Sequence, residues 1–184
     1  MINDVFNKTK DKMEKTLEHY KMELKSVRTG RASVSLFDNI KVDYYGSPTP
    51  LSQVASLTAE SRMVVIQPWE VNLIKTIEKA IMESGMGFNP SNDGRVIRVP
   101  IPPLTEERRK ELVKMVKKMA EEAKIAIRNE RRDAIEKLKK MEKDKQISED
   151  DNKKGSEQIQ KLTDEYIKKI DEVTEKKEKE IMEV

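Results

Sequence analysis

PTPLSQVASLTAESRMVVIQPWEVNLIKTIEKAIMESGMGFNPSNDGRVIRVPIPP, residues 48–103, holds all seven prolines of a 184-residue chain, and four of its six glycines fall between Gly46 and Gly94. Pro and Gly interrupt helices more strongly than any other residues. The segments on either side are nearly free of both and dense in Lys, Arg, Glu and Asp. The chain therefore reads as a long helix, a compact mixed insert and a second, longer helical region. Residues 1–29 and 105–184 are expected to form one domain, with residues 30–104 inserted as another.

Within the insert, Ile40, Val42 and Tyr44 alternate with Lys41 and Asp43, a strand signature that Gly46-Ser47-Pro48-Thr49-Pro50 is expected to break. Ser56 to Thr58 and Met63 to Gln67 read as short strands joined at Glu60-Ser61-Arg62. Leu73, Ile74, Ile77 and Ile81 give helical spacing between Glu70 and Ser84, closed by Gly85. Asn92-Asp93-Gly94 predicts a hairpin turn with Val96 to Val99 as its return strand. The insert is small and mixed α and β. Its seven basic and seven acidic residues leave it neutral.

Outside it, Phe6, Met13, Leu17, Tyr20, Leu24 and Val27 form one apolar stripe, predicting a helix from Asn3 to Thr29 that Gly30 stops. Thr105 is placed to cap a helix whose first turn carries Glu106 and Glu107. With no Pro or Gly before Gln146, that helix is expected to reach about 60 Å. Ser148 and Asp151 read as a capping-box restart for a third helix, which Gly155 is expected to loosen near its start. Three narrow stripes are satisfied by packing against one another in an antiparallel three-helix bundle, or alternatively by oligomerising as separate coiled coils. The fold class is α+β.

Charged residues make up 39% of the chain and aromatics 4%, too polar for one large core but suited to long amphipathic helices. Without cysteine there is no disulfide, thiol catalysis or thiolate metal site. The single histidine, His19, reads as a surface residue, and Trp69 and the ten methionines as packing residues. The N-terminal residues lack a secretory pattern, and the longest aliphatic run, Met63 to Ile66, is far short of the roughly 20 residues needed to span a bilayer. A cytoplasmic protein, with no membrane contact, cofactor or metal, is expected.

Charge clusters locally, although Lys plus Arg exceeds Asp plus Glu only by 37 to 34. Lys124, Arg128, Arg131 and Arg132 fall within one helical arc of roughly 100° beside the apolar seam. Arg128 has no acid at its i±3 or i±4 positions. Guanidinium forks in such an array suit phosphates, which they grip bidentately. Equally, Glu or Asp from another helix would neutralise them. Lys25, Arg28 and Arg31 form a second basic group at the end of the first helix, where capping the helix C-terminus explains them as well. Aromatics do not interleave with either group, so backbone contacts to folded RNA fit better than base stacking. No Gly-rich phosphate loop appears, and no paired-carboxylate pattern rises above a sequence full of carboxylates. Two other classes stay open, a coiled-coil tether and an enzyme with a site around Trp69.

Five separated segments resemble the ribosome recycling factor family, in register and end to end. They are Val27-Arg28-Thr29-Gly30-Arg31-Ala32-Ser33, Val42-Asp43-Tyr44-Tyr45-Gly46-Ser47-Pro48-Thr49-Pro50, Pro102-Pro103-Leu104-Thr105-Glu106-Glu107-Arg108-Arg109, Ile127-Arg128-Asn129-Glu130-Arg131-Arg132-Asp133-Ala134 and Gln160-Lys161-Leu162-Thr163-Asp164. The resemblance implies an L-shaped, tRNA-like molecule: a three-helix bundle carrying a β/α/β domain, with hinges at Gly30, Arg31, Pro103, Leu104 and Thr105. It implies a monomer that binds large-subunit rRNA of the post-termination bacterial ribosome. Elongation factor G, using GTP, then drives subunit separation, so the chain itself is no enzyme. The family's rRNA-contacting arginines correspond to Arg28, Arg31, Arg128, Arg131 and Arg132. Glu130 departs from the pattern, standing where the family is expected to carry an aliphatic residue, and is expected to pair with an arginine.

Overall fold

The computed structural model describes residues 1–27, 29–30 and 32–183. Its backbone separates into two compact units, Met1–Thr29 with Glu106–Val184, and Gly30–Thr105.

The first unit consists of three helices, α1 (Ile2–Lys25), α4 (Glu106–Lys143) and α5 (Glu149–Met182), with α2 and α3 lying in the insert. Thr16 of α1 meets Glu130 of α4, Glu14 meets Tyr166 of α5, and Tyr20 meets Thr174. Advancing along α1 thus advances along α5, so these two run parallel and α4 runs opposite to both. The predicted stripes are the buried ones, with Met13, Leu17, Val116, Ile127, Leu138, Ile159 and Ile170 almost wholly inaccessible. Each such side chain contributes about 1.5–3 kcal/mol by leaving water. Tyr20 and Tyr166 are buried too, and their hydroxyls meet the Thr174 hydroxyl and the Glu14 carboxylate. Burial pushes both phenols above their ordinary range.

Helix ends depart from expectation in two places. α1 stops at Lys25, not Thr29. Ser26 Oγ donates to the Glu23 carbonyl at 2.6 Å, and the backbone N–H groups of Ser26 and Val27 reach back only three residues, tightening and ending the helix. Gly155 does not loosen α5. It is buried inside the helix, and a Cβ there would lie 3.1 Å from Leu138 Cδ1 and 3.2 Å from Ile2 Cγ2. The missing side chain lets three helices approach closely. The Ser148–Asp151 capping box forms as the sequence predicts.

The second unit opens with a 3₁₀ turn, Val34–Phe37, and a hairpin of β1 (Lys41–Tyr44) and β2 (Ser47–Pro50). Ser47–Pro50 is therefore a strand and not merely a break. Tyr45 and Gly46, at φ 50° and 85°, form the tight two-residue turn. Pro48 and Pro50 occupy alternate positions, those whose backbone nitrogens face away from β1. A single-turn helix, α2 (Leu51–Val54), leads into β3 (Ala55–Glu60) and β4 (Met63–Pro68), longer than predicted. The expected helix from Glu70 begins as a 3₁₀ turn, Val71–Leu73, before α3 (Ile74–Glu83). β5 (Ser91–Asn92) and β6 (Ile97–Pro100) complete an antiparallel sheet of order β3-β4-β6-β5. Its apolar face (Val64, Ile66, Ile97, Val99) packs with Ile74, Ile77 and Ile81 of α3 and with the stacked rings of Phe37 and Phe88, 5.3 Å apart.

Candidate nucleic-acid interface

α4 carries Lys124, Arg128, Arg131 and Arg132 beside its buried seam, and the side chains differ in how their charge is held. Lys124 Nζ lies 2.5 Å from Asp171 Oδ1 of α5, with its side chain only 20% exposed. Arg128 Nη1 donates to Glu121 Oε1 at 3.3 Å. That acid stands two turns earlier, outside the i±3 and i±4 neighbours that the sequence pattern surveys. Arg131 Nη1 donates at 3.1 Å to Oε1 of Gln160, a neutral amide on α5. Gln160 Nε2 in turn donates to Asp164 Oδ1 at 2.9 Å. Arg132 is exposed. Among the described residues, no carboxylate lies within ion-pair distance of Arg131 or Arg132. Cross-helix neutralisation thus applies to Lys124 and not to these two arginines. Arg28 and Arg31 lie outside the described residues.

Glu130, on the opposite flank of the α4 seam, does not pair with an arginine as expected. Its Oε1 accepts from Thr16 Oγ1 at 2.7 Å, while Oε2 is buried without a hydrogen-bond partner. Burial raises its pKa, opposed by the Thr16 bond and by Lys12. At the proposed hinge, Gly30 has φ 77°, and a Cβ there would stand 3.1 Å from Leu104 Cγ. The two connecting segments therefore touch at a position that a larger residue would strain.

In the insert, Trp69 is 67% exposed and is not the packing residue expected of it. It borders a cavity of about 340 Å³ that also includes Phe37, Leu57 and Asp38. Tyr44 and Tyr45 both donate to Glu70, at 3.1 and 3.0 Å. His19 is exposed beside Glu23, 2.8 Å away. Among the described residues, no group of three or more His, Asp or Glu is placed to hold a metal ion, and no helix is long and apolar enough to cross a membrane.

Sequence reasoning assigns no role to Glu121 or Asp171, nor to Gln160 and Asp164, although these two stand in one of the five family-like segments. The seven-residue spacing of Glu121 and Arg128 was a usable signal. Nothing in a single sequence announces which residues of α5 face which residues of α4.

The ribosome recycling factor family model matches residues 20–182. The chain is 58% identical to the ribosome-recycling factor of Syntrophomonas wolfei and 55% identical to that of Bacillus licheniformis, over the full length of both chains in each case. Among solved structures it resembles a solution structure of the ribosome recycling factor, with TM-score 0.75 and 47% identity, covering 100% of this chain and 98% of that one. It also resembles the T. thermophilus ribosome recycling factor in a structure of that factor and E. coli elongation factor G bound to the E. coli post-termination complex, with TM-score 0.64 and 48% identity over 100% of both chains.

Proposed function

Since the chain belongs to the ribosome recycling factor family, we propose that it binds the post-termination bacterial ribosome and, with elongation factor G and GTP, promotes its dissociation into subunits and release from mRNA. The observation that carries this reading is the pair Arg131 and Arg132, held beside the bundle seam of α4 with no carboxylate in ion-pair reach among the described residues. Uncompensated guanidinium forks on a rigid helix suit a fixed array of phosphates, here large-subunit rRNA. Arg128 and Lys124 extend the stripe along α4, and Arg28 and Arg31 are proposed to add to it from the junction with the insert.

The protein acts in the cytoplasm as a monomer and by leverage. The bundle anchors, while the insert moves on its two connections, at Gly30 and Arg31 and at Pro103, Leu104 and Thr105. No bond is made or broken on this chain, and it holds no cofactor; GTP is hydrolysed by the partner. The deciding experiment mixes the purified protein with polysomes, elongation factor G and GTP and follows sedimentation. Free subunits are expected to accumulate only when all components are present. Polysomes that stay intact in the complete mixture refute the reading.

A further inference from the structure

Arg131 differs from its neighbours in being held by a group without charge. Asp171 and Glu121 set a full negative charge against Lys124 and Arg128. The Gln160 amide oxygen instead takes one N–H of Arg131, leaving the cation's charge intact and four of its five N–H donors free. The Gln160 amide is itself aimed. Its nitrogen donates to Asp164 Oδ1 one helical turn on, and the reversed amide would set its NH₂ against the guanidinium and its oxygen against the carboxylate. Asp164 therefore dictates which end of the amide faces Arg131.

We infer that Gln160, oriented by Asp164, is a positioning residue that fixes the Arg131 guanidinium for phosphate while leaving it unneutralised. A long, flexible side chain loses rotamer entropy when it grips a ligand, and an acceptor that orders it beforehand lowers that cost. A carboxylate would order it equally well but would compete with the phosphate for its charge. The inference rests on the ribosome-binding reading above and deepens it.

The test measures binding to bacterial 70S ribosomes over a salt series for wild type, Gln160→Glu, Gln160→Leu, Arg131→Ala and Arg131→Ala with Gln160→Glu. Gln160 and Asp164 are exposed, and thermal melting of each variant checks that the bundle stays folded. Gln160→Glu is expected to weaken binding roughly tenfold and to lower the salt slope by about one. Gln160→Leu is expected to weaken binding a few fold with the slope unchanged. In the Arg131→Ala background, Gln160→Glu is expected to have no further effect, a non-additivity that a merely structural or general repulsive role would not produce. The inference is overturned if Gln160→Leu binds as wild type, or if Gln160→Glu costs the same in both backgrounds. If Arg131→Ala alone binds as tightly as wild type, the phosphate-gripping stripe fails with it; if Arg131→Ala weakens binding and Gln160→Leu does not, only the positioning role fails.

Discussion

Glu130 is a charged group that the bundle holds at a disadvantage. Half its carboxylate is satisfied by Thr16 and the other oxygen is buried without a partner. Lys12 attracts it, Asp133 repels it, and burial outweighs both to raise its pKa above the ordinary 4.5. A carboxyl whose folded pKa is raised binds its proton more tightly in the native state. Its favourable contribution is therefore complete below the ordinary glutamate value and is lost as pH rises through the folded one. Glu130→Gln is expected to stabilise the protein at pH 7 by about 0.5 kcal/mol, allowing for partial solvation, or roughly 1–2 °C in Tm. The difference from wild type should vanish below about pH 4, and a difference that grows on acidification instead would reverse the assignment. Asp93 in the insert has the opposite sign. Backbone N–H groups of Val96 and Arg95, with Arg98, hold it down to about 2. Its contribution is present above the ordinary 3.8 and lost as pH falls towards 2, so acid weakens the insert at Asp93 while it relieves the bundle at Glu130.

At the scale of elements, sequence patterns located every long helix and most strands, because a buried stripe and a turn dipeptide are local facts. They misplace the stop of α1, at Lys25 and not Thr29, and supply the length of α4 without the residue that stops it. α4 ends in a Schellman arrangement, with Gln146 N–H bonded to the Met141 carbonyl at 2.8 Å and Lys145 N–H to that of Glu142 at 2.9 Å. The residue forced into the left-handed region there is Lys145, at φ 57°. A lysine at that position carries no warning in a sequence, since it is otherwise a good helix former. Lys145→Gly is expected to stabilise the bundle by about 0.5–1 kcal/mol, because the Cβ penalty disappears and the chain already turns there. Denaturant unfolding would read this as a higher midpoint at unchanged slope, whereas a lower midpoint would mean that the lysine side chain contributes contacts of its own. Gly155 is the converse case. A glycine that reads as a weak point sits against Leu138 and Ile2, and the Cβ of Gly155→Val would have to displace both at a cost of about 2 kcal/mol.

For the molecule as a whole, the basic stripe could be drawn from the sequence because its members share one helix, and helical geometry fixes their relative directions. Which of them keeps its charge could not, because Asp171 and Gln160 come from α5, far along the chain. The distinction matters for separating binding from folding. Arg131 and Arg132 flank the seam but belong to neither the buried core nor an ion pair, and the neutral bond to Gln160 is an exposed one of small net worth. Truncating both should therefore leave thermal stability within about 1 kcal/mol. The same truncation removes two phosphate grips, each a charge-assisted bond of about 1.5–3 kcal/mol. Arg131→Ala with Arg132→Ala is thus expected to bind ribosomes at least a hundredfold more weakly, with a salt slope lower by about two. Cosedimentation with ribosomes across salt, beside a melting curve, reads both halves at once. If the double variant melts well below wild type, these arginines hold the helices together and their loss says nothing about RNA. A normal melt with unchanged binding would move the anchor off α4 altogether.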